Sequence, residues 1–251
     1  METDYKILAK LLAKRIVGML DSILLISQIG FIKGGYILEN LMNSWEAMKW
    51  GKDNKQNVCM VLFDFEKAYD RIEWDFVLKI FERLGFPPSF CRWVDILFKD
   101  SNTIIQVNGE LSNPIFLERS IRQGCPLAPS LFVLVADALS YIMNSNKLGL
   151  GVKGILLPNK DNLLLEQFAT DIAMFLELLE ENFENMLSRL QLFCNASSAK
   201  ISTQKSSILG WSTSSLDWIR NQEWQWYGPN HIVRYLGIFF SVKPSMKDTW
   251  N

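Results

Sequence analysis

Asp64, Asp171 and the tetrad Arg122-Gln123-Gly124-Cys125 are the residues whose types and settings could do chemistry. Asp64 interrupts the nearly continuous apolar run Val58 to Phe65, VCMVLFDF. A carboxylate at the end of a buried strand is costly unless it is paired or bound to a metal. Mg2+ takes oxygen ligands and tends to use one or two carboxylates together with substrate phosphates. Asp171 follows Ala169-Thr170 between two short apolar runs and offers a second ligand at the tip of a hairpin. The tetrad directly precedes Pro126 and an apolar run that reaches Met143. Proline is favoured in the first turn of a helix, where its missing N–H would have no partner anyway. The tetrad is therefore expected at a helix N-terminus, where free N–H groups and the helix dipole attract phosphate. Taken singly, these features read first as a strand end, a turn and a loop capping a core helix. Taken together, they point to phosphate chemistry assisted by a divalent cation.

These residues need elements to position them. Val58–Phe65 has the length and continuity of a strand buried on both faces. Leu163–Phe168 and Ile172–Leu176, separated by Ala169-Thr170-Asp171, read as a hairpin. That hairpin is expected to pair with Val58–Phe65 and to bring Asp64 beside Asp171. Helical spacing of apolar residues predicts helices over Tyr5–Leu20, Ile37–Trp50, Arg71–Leu84 and Leu178–Phe193, with further helices after Pro87-Pro88 and Pro126. Asp70 and Glu73 resemble a capping box before the third of these. Asn108-Gly109 marks a hairpin between Thr103–Val107 and Ile115–Leu117. Lys200–Leu209 reads as a short strand and Val233–Phe240 as a final strand pair. Strands and helices mix without βαβ alternation. The expected class is α+β, with helices packed on one face of a largely antiparallel sheet.

Composition narrows the function. The chain has 251 residues, 49% of them hydrophobic, enough for one large core or two lobes. Its formal net charge of −1 argues against a general nucleic-acid binder with a basic stripe, though not against a local groove. The four cysteines are scattered without a CxxC pair, and His231 is the only histidine. A zinc site or disulfide framework is not expected, and a reducing compartment is. No signal peptide or long apolar span is apparent, so no membrane association is expected and the location is intracellular.

FDFEKAYDRIEW (63–74), RSIRQGCPLAPSLF (119–132), QFATDIAMF (167–175), SSAKISTQKS (197–206) and RYLGI (234–238) resemble the ordered motifs of a reverse transcriptase palm. The resemblance is greatest to the non-LTR, LINE-type retrotransposons of plants, and SQIGFIKGG (27–35) is similar to their fingers loop. It covers nearly the whole chain, and motifs in order are more specific than any one of them. It implies an RNA-directed DNA polymerase acting on an RNA template, a DNA primer and deoxynucleoside triphosphates, in the nucleus or cytoplasm. It also implies partial fingers over 1–56 and a palm with the primer-grip region over 57–251, within one reverse transcriptase domain.

The resemblance also assigns roles. Asp64 and Asp171 would hold two Mg2+ ions, and the backbone of Phe65 would lie beside the triphosphate. Tyr69 is similar to the steric gate against a ribose 2′-OH, and Arg122, Gln123 and Gly124 to the loop touching incoming nucleotide and template. Lys205, with Lys200 as the neighbouring alternative, matches the lysine suggested to protonate pyrophosphate. Tyr235, Leu236 and Gly237 would grip the primer.

Several positions depart from the family pattern. Thr170 stands where the first Asp of the F-A-D-D turn is expected. Ile32 and Gly35 replace two fingers arginines, Ser198-Ala199 replaces Gly-Leu, and Ser202 replaces an Asn. Set against the family pattern, the chain is expected to start partway through the fingers and to stop just past the primer grip, without the thumb and the endonuclease. The expectation is a degenerate, truncated copy that is inactive, with a non-catalytic nucleic-acid-binding remnant or a non-functional fragment as the alternative.

Overall fold

The computed structural model describes residues 3–24, 36–145, 151–211, 217–220 and 224–241. The fingers-like loop 27–35, with Ile32 and Gly35, lies outside them. In order, the elements are α1 (Thr3–Ile23), α2 (Ile37–Asp53), β1 (Val58–Phe63), α3 (Ala68–Arg71), α4 (Trp74–Arg83) and α5 (Pro88–Phe98). The short strands β2 (Asn102–Thr103), β3 (Gln106–Val107), β4 (Glu110–Leu111) and β5 (Ile115–Phe116) follow, then α6 (Ala128–Asn144). Next come β6 (Ile155–Leu156), β7 (Asn162–Leu163), β8 (Leu165–Phe168), β9 (Asp171–Glu177), α7 (Glu180–Ser197) and β10 (Ser207–Gly210). The last are α8 (Asp217–Arg220), β11 (Gln225–Tyr227), β12 (Val233–Tyr235) and β13 (Ile238–Phe240).

The main sheet runs β11-β10-β1-β9-β8 and is antiparallel except for β10 with β11. β1 reads as unbroken apolar sequence because both its faces are covered. Side chains alternate across a strand. Cys59, Val61 and Phe63 enter one core with Ile172, Met174 and Ile208, under helices α1, α4, α5, α6 and α7. Val58, Met60 and Leu62 enter a smaller core with Ala173, Phe175 and Leu209. That second face is covered by α2, through Ala47 and Met48, and by the β12–β13 hairpin. The α+β class and antiparallel sheet are as expected from sequence, but α2 stands on the face opposite the other long helices.

Other local expectations are corrected. The helix expected over Arg71–Leu84 is broken at Ile72, which is extended and almost fully buried. Asp70 lies inside α3, and no capping box forms. Glu73 is the α4 N-cap, but its carboxylate accepts the Ser198 hydroxyl at 2.8 Å instead of capping its own helix. The strand expected from Lys200 is confined to Ser207–Gly210, because Ser202–Ser206 folds into a hydrogen-bonded turn. The hairpin at Asn108-Gly109 forms, with positive φ at both residues, but its strands pair in two short stretches.

Candidate active site

β1 and β9 are in register from Val58↔Glu177 to Phe63↔Ile172. Asp64 and Asp171 are the next residues in each direction, so the paired backbones bring together carboxylates far apart in sequence. Asp171 returns into register because β8 and β9 are joined by the two-residue turn Ala169-Thr170, closed by the pair Phe168↔Asp171. Ala169 takes φ 56°, a left-handed conformation costing an L-residue about 1–2 kcal/mol. The tight turn is kept despite that strain.

Asp64 and Asp171 line one cavity of about 360 Å³, together with Leu62, Phe63, Ile172, Lys205, Arg234, Tyr235, Leu236 and Gly237. Tyr235-Leu236-Gly237 enters from β12 and the β12–β13 turn. Leu236 and Gly237 take φ 52° and 78°, the doubly positive pattern of a type I′ hairpin turn. Glycine removes the strain at the second of these positions.

Lys205 Nζ lies 3.0 Å from Asp64 Oδ2. The Ser202–Ser206 turn places it there. Ser202 N–H donates to the Asp64 carbonyl at 2.8 Å, the Asp64 N–H donates to Ser206 Oγ at 3.3 Å, and that hydroxyl donates to the Ser202 carbonyl at 2.7 Å. Lys200 instead pairs with Glu66 at 3.0 Å, so the two candidate lysines are separated: only Lys205 lines the cavity. Asp171 holds its proton more tightly than an ordinary carboxyl, first because of the protein packed around it and then because of the Asp64 charge. Burial likewise raises the Tyr235 phenol, whose ring packs toward Ser44, Asn40 and Glu166.

Other residues singled out from the sequence lie outside the cavity wall. Phe65 is buried, with its ring 6.0 Å from that of Phe193, and its backbone bridges Ile201. Tyr69 stacks on Phe132 of α6 with ring centroids 4.7 Å apart, and its carbonyl accepts the Ile121 N–H at 2.7 Å. That bond ties it to the Arg122-Gln123-Gly124 loop. The loop is not the start of the helix: α6 begins at Ala128, with Pro129 rather than Pro126 in its first turn. The Cys125 N–H is committed to the Arg122 carbonyl, and the Arg122 guanidinium lies 5.3 Å from the Tyr5 ring centroid. The helix-terminus argument for phosphate binding therefore does not hold at this loop. Thr170 is half-buried and outside the cavity wall.

Arg234 and Ser206 were not singled out from sequence, although both fall within the quoted motifs. The signal for Arg234 is its place before a buried Tyr in a strand. Ser206 carries no sequence signal, because its role lies in backbone contacts across the sheet.

Among the described residues, no group of three or more His, Cys, Asp or Glu side chains is gathered around a point. The cavity's acidic donors are Asp64 and Asp171. Two carboxylates suit one hard divalent ion whose remaining positions are filled by water and substrate phosphates. The lining offers no third carboxylate for a second ion. No described helix is long and apolar enough to cross a membrane.

A family model described as reverse transcriptase (RNA-dependent DNA polymerase) matches residues 1–240. The transposon TX1 uncharacterized 149 kDa protein of Xenopus laevis is 24% identical over 248 residues, covering 97% of this chain and 18% of that protein. A retrovirus-related Pol polyprotein from type-1 retrotransposable element R2 of Popillia japonica is 27% identical over 180 residues, covering 70% of this chain and 24% of the polyprotein. The chain thus spans a quarter or less of the length of these relatives. Among solved structures, telomerase from Candida tropicalis in complex with a TWJ fragment of telomeric RNA superposes with TM-score 0.62 at 9% identity, covering 94% of this chain and 36% of that one. The corresponding Candida albicans telomerase gives 0.57 at 10% identity, covering 93% and 36%. At such identities the likeness is one of fold alone.

Proposed function

This chain belongs to the reverse transcriptase (RNA-dependent DNA polymerase) family, with homologues among non-LTR retrotransposon proteins, and from that premise we propose that its cavity is a degenerate nucleotidyl-transfer site. The supporting observation is the convergence of Asp64, Asp171, Lys205 and Tyr235-Leu236-Gly237 on one cavity from separate parts of the chain. Members of the family use divalent metal ions. When bound, such ions stabilise the attacking and leaving oxygens of an in-line displacement at an α-phosphate. Asp64 and Asp171 would hold a divalent ion such as Mg2+, and Lys205 would stand where a proton is handed to pyrophosphate. The backbone after Asp64, at Phe65, lies beside the triphosphate. Tyr69 crowds a ribose 2′-OH. Arg122, Gln123 and Gly124 touch the nucleotide and template, and Tyr235-Leu236-Gly237 supports the primer 3′ end.

On this reading residues 1–56 are partial fingers and 57–251 the palm, and the partners are an RNA template, a DNA primer and deoxynucleoside triphosphates. The motif sequences favour a plant LINE-type origin. Thr170, Ser198, Ala199 and Ser202 favour a copy whose chemistry has decayed. Primer extension on an RNA template, run beside a binding assay for the same template–primer, tests the proposal. The expected result is salt-dependent binding of the hybrid without detectable extension. Failure to bind would remove the nucleic-acid reading, and rapid extension would remove the claim of decay.

A further inference from the structure

Resting on the reading of this cavity as a divalent-ion site, we propose that Lys205 is a built-in counter-ion that occupies Asp64 and competes with the metal for it. The cavity wall carries two carboxylates, Asp64 and Asp171, and two cations, Lys205 and Arg234. Its formal charges balance without a metal. A third carboxylate in the wall would leave an excess negative charge for a cation to neutralise, whereas the two present leave none.

The contact between Lys205 and Asp64 is built from backbone as well as charge. The turn carrying Lys205 is fastened to the same residue whose carboxylate it meets, through Ser202 N–H to the Asp64 carbonyl and Asp64 N–H to Ser206 Oγ. The turn thereby places the ammonium within reach of Asp64 Oδ2, from which it lies 3.0 Å. Lys200 offers no substitute, being engaged with Glu66. The Lys205 side chain is 72% exposed, so it can swing into water when a stronger cation arrives. An exposed pair is weak in isolation. It nevertheless subtracts from metal affinity, since the ion must displace it and then bind beside a positive charge.

Mn2+ titration followed by electron paramagnetic resonance tests this on the full chain, without reference to catalysis. Four proteins are compared: the unaltered chain, Lys205→Met, Asp64→Asn and the double variant, each checked by thermal melting. Lys205→Met is expected to lower the Mn2+ Kd roughly fivefold to tenfold, the size suited to removing one partly screened charge at contact distance. Asp64→Asn is expected to abolish binding in either background. If Asp64→Asn abolishes binding but Lys205→Met leaves Kd unchanged or raises it, the metal site stands and the counter-ion role is overturned. If neither the unaltered chain nor Lys205→Met binds Mn2+, or if binding is independent of Asp64, both the counter-ion role and the metal site fall.

Discussion

Ser44 of α2 donates its hydroxyl to Glu166 Oε2 of β8 at 2.9 Å, joining the helix that covers the second face to the strand leading into the Ala169-Thr170 turn. Tyr235 of the cavity wall packs into the same region. A buried polar cluster therefore links α2, the turn-bearing hairpin and β12.

Glu166 gives this cluster a pH signature. Burial pushes its carboxyl from 4.5 up to about 7, offset in part by hydrogen bonds from Ser44 and Asn43. The folded state then holds a proton that the unfolded chain releases. Stability is full below the unfolded value, falls as pH rises from about 4.5 to about 7, and levels off above. Glu166→Gln keeps an acceptor for Ser44 and removes the ionisation. It is expected to flatten the slope and to stabilise the protein at pH 8 by roughly 1–3 kcal/mol, read from denaturant melts across that range. An unchanged slope would place the carboxyl in a wetter setting than the structure gives it.

Arg189 of α7 is almost fully buried and donates through Nη1 to the carbonyls of Ile142 and Met143, in the last turn of α6. A cation at a helix C-terminus complements the dipole and the unpaired carbonyls there. Arg189→Ala is expected to cost about 3 kcal/mol, from the lost charged hydrogen bonds and the cavity left behind. The corresponding fall in Tm is the measurement, and a change of a degree or less would contradict this role.

Tyr69 serves two demands that one substitution separates. Its ring stacks on Phe132, so Tyr69→Ala should lower the melting temperature, whereas Tyr69→Phe should not. If the ring also crowds the sugar position, Tyr69→Ala should bring the binding of a ribonucleoside triphosphate close to that of its deoxy counterpart. Discrimination that survives in Tyr69→Ala would assign the ring to packing alone.

What the sequence disclosed was the part governed by period and by local turn chemistry. Val58–Phe63 is legible because a strand covered on both faces carries apolar residues without interruption. The β8–β9 hairpin is legible because apolar runs flank a polar tip. The break at Ile72 was hidden: long-range bonds such as Glu73 N–H to the Ser197 carbonyl and Ser120 N–H to the Ile72 carbonyl decide it, and local propensity does not report them. Pro126 misled for a related reason. Its place is the turn before α6, and it is Pro129 that sits in the first turn of that helix. At the site, Asp64 and Asp171 were foreseeable as strand and turn carboxylates. The Lys205 contact depends on a turn that reads as strand from sequence.

The neutral side chain at position 170 is the centre of the functional reading. Metal-assisted charge stabilisation is worth several kcal/mol of barrier, and each ~1.4 kcal/mol is about tenfold in rate. The direct measurement is RNA-templated primer extension by an intact, active relative whose F-A-D-D turn is changed to F-A-T-D, with its melting temperature recorded alongside. The expected result is a fall in single-turnover rate of roughly a thousandfold or more at unchanged melting temperature. Near-normal extension by the altered relative would mean that carboxylates placed like Asp64 and Asp171 suffice, and that Thr170 does not disable this site.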